Sequence, residues 1–470
     1  MDQALRWPSK ADGTDHIFIF GGDLNKYDPS DGSFNCNGVI AADRSLHPHA
    51  YEVRYQYRNI LTAAGSKPGE VKVTNEHSFK DLKNYYLEWE LEACGKPVRS
   101  GMVWDLDVPA EETRTLDLGI GELPECKTLT LTVHYKLKNA EPLLPAGFEA
   151  AYDQLVLKDS EPVLKWESPS LAKAEGTTFS GTFSYKGTLS DRLATWKAVI
   201  NPKTGFLTSY QVNGKEYLTD PLKPCFDRAM NENDLGARLD RRMAFWRNPE
   251  LKVSQIKTAE EGETQVVTVD FAPIGGKAAV QVEYRLSGDG SILVTETMDG
   301  ELEGLPQLPR FGLRFAMNGR FDQVDFFGLG PWENYSDRCS SALLGHYRQK
   351  VTDQYHYGYA RSQESGTHTG LRCFRVLAPD GFGLELASDV RFSASALPFS
   401  LEELDTHVHS LELKAKAHEN DRSRGTTFVH ADLAQMGVGG INSWGSWPLE
   451  QYLLPAQPRT FRLLIRPVAK

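Results

Sequence analysis

The chain has 470 residues, enough for two or three ordinary domains rather than one core. Hydrophobic residues at 40% and charged residues at 24% are those of a water-soluble globular protein. A net charge of −11 at pH 7 argues against nucleic acid or an anionic membrane as partner.

No apolar run is long enough to span a bilayer, and Met1-Asp2-Gln3-Ala4-Leu5-Arg6-Trp7-Pro8 lacks the apolar stretch of a secretory signal, so a cytoplasmic location is expected. The cysteines Cys36, Cys94, Cys126, Cys225, Cys339 and Cys373 show no CxxC spacing, and free thiols are expected of them. Nine Trp, 18 Tyr and 22 Phe suit large β-sheets, and a flat aromatic ring also suits the C–H face of a sugar.

Residues 1–59 read differently from the rest of the chain. His16-Ile17-Phe18-Ile19-Phe20 is a short continuous apolar run closed by Gly21-Gly22-Asp23, the pattern of a strand buried on both faces in a parallel sheet. A polar, turn-rich stretch leads to Phe34-Asn35-Cys36-Asn37-Gly38, and Ala50 to Arg58 is compatible with a helix. One β/α unit cannot cover its own strand. With no neighbour on either edge, the strand from Ile17 to Phe20 is expected to stay disordered, misdock or aggregate.

From about Asn59 the pattern turns antiparallel. Tyr85 to Glu92 and Thr128 to Tyr135 alternate with a period of two, and short strands spaced by turns over 60–160 suggest a small immunoglobulin-like sandwich. The pattern lapses from Glu161-Pro162 to Glu175-Gly176, which marks a linker. Residues 176–470 then read as one large antiparallel assembly, with Gln265 to Phe271, Ala279 to Tyr284 and Ser291 to Thr297 as its clearest strands.

Four clusters carry possible chemistry. If the first strand belongs to a barrel, Phe34-Asn35-Cys36-Asn37-Gly38 lies at its C-terminal face, where an amide and a backbone carbonyl could hold a hard cation, although Asn-Gly alone is a plain turn signal. Phe226 to Gly236 sets an Arg among several Asn and Asp residues, which suits a buried polar network better than ligand contact. Phe326 to Arg338 contains Glu333 and Asp337, a conceivable carboxylate pair, but Arg338 offers a fork that makes an ion pair the safer reading. Met436 to Trp447 places glycines before Trp444, a candidate platform for a sugar or a core indole. His407, His409, His418 and His430 lack tight metal-ligand spacing and read as ordinary polar positions.

Taken in order, these clusters carry a resemblance that none carries alone. Gly21-Gly22-Asp23, Phe34-Asn35-Cys36-Asn37-Gly38, Ala42-Asp43-Arg44 with His47-Pro48, Asn233-Asp234-Leu235-Gly236, Gly328-Leu329-Gly330-Pro331-Trp332-Glu333-Asn334-Tyr335 with Asp337-Arg338, Gly370-Leu371-Arg372-Cys373, and Met436-Gly437-Val438-Gly439-Gly440 with Ser443-Trp444 follow one another. The series resembles the C-terminal half of a glycoside hydrolase family 2 β-galactosidase of the bacterial lactose-cleaving type, over essentially the whole chain.

The resemblance implies a mainly β chain in three segments: the last β/α unit of a TIM barrel at 1–59, an immunoglobulin-like β-sandwich at 60–160, and a galactose-mutarotase-like β-supersandwich, the small-chain-like part, at 176–470. It implies that Phe34, through its carbonyl, and Asn37 bind sodium beside the sugar, with Asn37 and Trp444 as substrate-binding residues. Gly236 matches the start of a loop bordering the site, although Ala237-Arg238-Leu239-Asp240 departs from the family pattern. No catalytic residue is assigned here. The family's two Glu residues, about 5 Å apart in a retaining mechanism, lie upstream, as do the magnesium ligands of the complete enzyme. The expected partners are a galactoside, the missing N-terminal portion and, when complete, further copies in a homo-oligomer. A rival reading is a non-catalytic carbohydrate-binding module. A third is a self-sufficient hydrolase using Glu333 and Asp337.

Overall fold

The computed structural model describes residues 4–5, 18–25, 27–36, 38–164, 166–187, 190–406, 408–410, 413, 425–442 and 445–469. The chain is mainly β. Three groups of elements follow one another, and their contacts place the candidate site.

The first segment holds the short strand Phe18–Ile19 and one helix, α1, at Pro48–Gln56. Pro48 at the helix start suits a position whose N–H has no intrahelical partner. The expected edge-free strand is corrected here: Phe18–Ile19 pairs antiparallel with Ala4–Leu5. It is also covered, since Phe18 packs with Ala41, Ala42 and Tyr357, and Phe20 stacks on His409 at 4.5 Å. With no parallel neighbour among the described residues, the strand takes an edge from its own upstream residues and a cover from the large assembly. Ile17 lies outside the described residues.

Next comes a sandwich of a three-stranded sheet (Ile60–Ala64, Glu70–Asn75, Thr113–Asp117) and a four-stranded sheet (Lys96–Val103, Tyr85–Ala93, Thr128–Leu137, Glu149–Asp159). Period-two alternation sends Tyr85, Leu87, Trp89 and Leu91 inward, where they meet Val71 and Val73 of the facing sheet. The expectation of free thiols fails in this sandwich, because Cys94 and Cys126 form a disulfide. A turn with Cys94 and Gly95 both at positive φ brings Cys94 back beside the neighbouring strand, where its N–H donates to Thr128 O at 2.7 Å. Separation in sequence concealed this pairing. Cys225, Cys339 and Cys373 are thiols.

The rest is two large antiparallel sheets sharing one core. The ten-stranded sheet runs from Lys173–Glu175 to His368–Leu371, with Leu218–Cys225, Arg310–Asn318 and Thr426–Gln435 at its middle. The nine-stranded sheet runs from Val253–Glu261 to Leu343–Lys350, and Arg459–Val468 sits between Ile292–Gly300 and Gly383–Ser388. Phe311, Leu313, Phe315 and Met317 face the shared core with Val282, Phe461 and Trp246. Alternation turns Arg310 and Arg314 to the other face, where they pair with Glu364 and Glu402.

Helix α1 ties the three groups together. Tyr51 stacks on Trp332 at 4.1 Å, and Glu52 accepts the Ser341 N–H at 2.9 Å. Toward the smaller sandwich, buried Asp153 accepts from Tyr55 Oη at 2.9 Å, Arg58 Nη2 at 2.7 Å and Thr62 N at 2.7 Å. Gly95 sits so close to His346 and Phe327 that an added Cβ would lie 2.6 Å and 3.0 Å from their rings. The two sandwiches therefore meet through backbone against aromatic faces.

Candidate functional site

Three of the four sequence clusters converge on one rim of the ten-stranded sheet. After Leu218–Cys225 the chain enters a short helix, α2, at Glu232–Gly236. Asn231 caps it by accepting the Asp234 N–H, and the Asp234 carboxylate accepts the Asn231 N–H in return. The same Asp234 takes a two-pronged contact from Arg228, Nε to Oδ2 at 3.1 Å and Nη2 to Oδ1 at 2.8 Å. Arg228 is fully buried. Its remaining donors go to the carbonyls of Met436 and, at 2.9 Å, Gly437. The polar-network reading of Phe226 to Gly236 is what the structure contains.

The Met436 to Gly440 turn is held from the other side as well. Asp337 accepts the N–H groups of Val438 at 3.0 Å and Gly439 at 2.8 Å, while Asn231 Nδ2 donates to Val438 O at 3.0 Å. Further along, Gly445 meets Gly236 backbone to backbone, since a Cβ on Gly445 would lie 2.4 Å from Gly236 O. Trp444 lies outside the described residues.

Glu333 and Asp337 do not form a catalytic pair. Buried Glu333 is ion-paired with Arg338 at 2.7 Å and accepts Tyr359 Oη at 2.6 Å, Ser365 Oγ at 2.6 Å and Gly366 N at 2.7 Å. Burial pushes its pKa up, but Arg338 and these three donors outweigh burial and hold the carboxyl at about 2. A carboxylate with its oxygens fully engaged is neither a nucleophile nor a proton donor near neutral pH.

The first segment reaches this rim through polar contacts as well as the packing of Phe18 and Phe20. Ser33 Oγ donates to Glu232 of α2 at 2.8 Å, and Asp23 pairs with His409 Nε2 at 2.8 Å. His47 Nδ1 and His356 Nε2 share a hydrogen bond of 3.0 Å, with Tyr359 stacked on His47. Burial, and then the neighbouring His356, lower His47 to about 4. Burial lowers His356 to about 4 despite the opposing pull of Glu333. Phe34 stands on the 3₁₀ turn Gly32–Asn35, one residue from Ser33 and so beside α2. Asn37 lies outside the described residues. Among the described residues no group of three or more His, Cys, Asp and Glu is arranged to hold a metal ion.

Reading by sequence missed the members that matter for this docking. Ser33, His356 and Tyr359 lie in no recognisable pattern, Glu232 lies in a singled-out cluster with no sign of its partner, and their pairings span as many as 309 residues. His409, taken as an ordinary polar position, proves to be the partner of Asp23. His407 and His418 lie outside the described residues.

Comparison with known proteins identifies the family of the chain. The family model described as "Beta galactosidase small chain" matches residues 192–465, and "Beta-galactosidase, domain 4" matches 71–158. The chain belongs to the β-galactosidase small chain family. A β-galactosidase of Priestia megaterium is 30% identical over 462 residues, covering 97% of this chain and 43% of that protein. One from Streptococcus thermophilus is 30% identical over 97% of this chain and 42% of its own length. One from Halalkalibacterium halodurans is 31% identical, covering 93% and 42%. The chain thus spans less than half the length of these curated relatives. A galactose mutarotase-like protein from Lactobacillus casei overlays 61% of this chain and all of its own at a TM-score of 0.32 and 12% identity, too loose a likeness to bear on function.

Proposed function

We propose that this chain is the C-terminal portion of a family 2 β-galactosidase that hydrolyses terminal β-D-galactosides such as lactose by a retaining mechanism. The catalytic Glu pair, and the magnesium ligands, are supplied by an upstream portion. Residues 1–59 are read as the last β/α unit of its TIM barrel, 60–160 as an immunoglobulin-like sandwich and 176–470 as the galactose-mutarotase-like supersandwich. The complete enzyme is a cytoplasmic homo-oligomer in this reading.

One observation carries most of the weight: near-complete coverage of this chain by relatives more than twice its length. The first segment supports it. That segment is anchored by Asp23–His409, Ser33–Glu232 and α1, and leaves Leu24, Tyr27 and Tyr57 exposed to solvent. Such a partly covered unit suits a piece that takes further barrel strands. The engaged Glu333 supports the absence of a catalytic pair from this chain.

At the site, Phe34 O and Asn37 would hold sodium, a carbonyl and an amide oxygen being the hard donors such a cation takes. Asn37 and Trp444 would contact the galactose. The alternative, a carbohydrate-binding module without turnover, is separated by complementation. The chain alone should leave lactose intact, and addition of the upstream half of a relative should restore cleavage. Lactose hydrolysis by the pure chain would sink the proposal, and galactose binding with no rescue by any upstream half would favour the module.

A further inference from the structure

We propose that Glu296 is a buried proton site that latches the strand Arg459–Val468 into the nine-stranded sheet. The seam with Ile292–Gly300 is closed while the carboxyl is protonated, and it loosens as pH rises.

Along Ile292–Gly300, period-two alternation sends Ile292, Val294, Glu296 and Met298 to the same inward face. Three of these four suit a core. The fourth is an acid with 0% of its surface exposed. In register it stands between Val282 on one side and Phe461 of Arg459–Val468 on the other, both fully buried. Neither of its carboxyl oxygens has a hydrogen-bond partner among the described residues. An ionised carboxylate in such a place loses its hydration without compensation, whereas the neutral acid loses far less. The chain therefore keeps a proton on this group when the sheet closes.

The groups around it supply no counter-charge. Asp432, from the facing sheet, repels a second negative charge and is itself ion-paired with Arg310 at 3.2 Å. Tyr284, on the neighbouring strand Ala278–Leu286, donates its Oη to Gly205 O at 3.1 Å. Arg459, opposite Met298 in register, sends Nη2 to Pro455 O at 3.0 Å. Burial first, and Asp432 second, hold the Glu296 carboxyl well above the ordinary 4.5. The folded chain thus binds a proton that the open seam releases. Stability from this group is full below pH 4.5 and is lost as pH rises. Because Arg459–Val468 pairs with both Ile292–Gly300 and Gly383–Ser388, one proton here bears on both halves of the sheet.

The test compares the full chain with Glu296→Gln and Glu296→Met. Difference infrared spectra at neutral pH should show the band of a protonated carboxyl in the unaltered chain that is missing from both variants. Hydrogen exchange, corrected for its intrinsic pH dependence, is read at Ile292–Gly300 and Arg459–Val468, with Thr128–Leu137 of the smaller sandwich as control. The ratio of seam opening in the unaltered chain to that in Glu296→Gln should rise about tenfold per pH unit from about pH 5 to about pH 7. Glu296→Met, a second residue that does not titrate, should give the same slope. Asp432, pushed up to about 7 by burial, titrates in all three chains and cancels in these ratios. Absence of the protonated-carboxyl band overturns the proposal, as does a ratio that stays flat with pH against either variant. Both are the results expected of an ionised Glu296 drawn into a pair with Arg459.

Discussion

The two large sheets and the first segment achieve order by different means. The sheets bury Trp246, Phe311, Phe321, Tyr284 and their neighbours completely within a shared core. Among its described residues the first segment buries a few apolar groups, Phe18, Ile19, Ala41 and Ala50, and it leaves Leu24 72%, Tyr27 95% and Tyr57 81% exposed. One region is held by its own interior. The other is held by what it leans on. Its specific contacts are polar or aromatic and point outward to other parts of the chain: Asp23 to His409, Ser33 to Glu232, His47 to His356, and Tyr51 to Trp332. A segment built in this way keeps its order only while those contacts hold.

The sharpest way to break this contrast is to strike the core. Trp246→Ala removes an indole that is fully buried and donates to Pro306 O at 2.7 Å. It should cost about 3–5 kcal/mol in urea-induced unfolding of the large assembly. Equal loss from Phe18→Ala would erase the distinction between the regions.

Acid should loosen the contact between the first segment and the large assembly. His47 and His356 have folded pKa values lowered to about 4 from an ordinary 6.5, so the unfolded or undocked state binds more protons between these values. Their contribution is fully present above pH 6.5 and is lost as pH falls toward 4. Asp43, His49, Glu333 and Arg338 surround the pair and do not reverse that sign. Hydrogen exchange over residues 38–58, corrected for the intrinsic pH dependence, should lose protection at about pH 4.5 by the equivalent of about 5 kcal/mol for the two groups together. Protection over residues 38–58 that stays unchanged between about pH 6.5 and about pH 4.5 would mean that docking does not run through these histidines.

Least disturbing to the chain itself should be Tyr57→Ser. An exposed ring contributes little to folding, so thermal stability should stay within about 0.5 kcal/mol. Association with an upstream half, measured by calorimetry, should nevertheless weaken. A stability loss well above that range would show that the exposed face already has a covering within the chain.

Much of the fold was legible because period-two alternation is local. Tyr85 to Glu92 and Ser291 to Thr297 announce half-buried strands without reference to anything distant. Glu333 and Arg338 were legible too, being five residues apart with complementary shapes. What stayed hidden was pairing at a distance. Nothing near Cys94 points to Cys126, and nothing near Asp337 points to Gly437. The run at 16–20 misled in another way: continuous apolar residues report burial, but not which neighbour supplies the edge, and an antiparallel partner at Ala4–Leu5 leaves the same signature.

The place of Arg459–Val468 has a consequence for biosynthesis. This strand follows both Ile292–Gly300 and Gly383–Ser388 in sequence yet lies between them, joining the two halves of the nine-stranded sheet. Until it leaves the ribosome, those halves present two open edges that it alone can pair. Nascent chains must therefore keep the strands already made from mispairing until Arg459–Val468 emerges, a task for which high contact order gives no kinetic help.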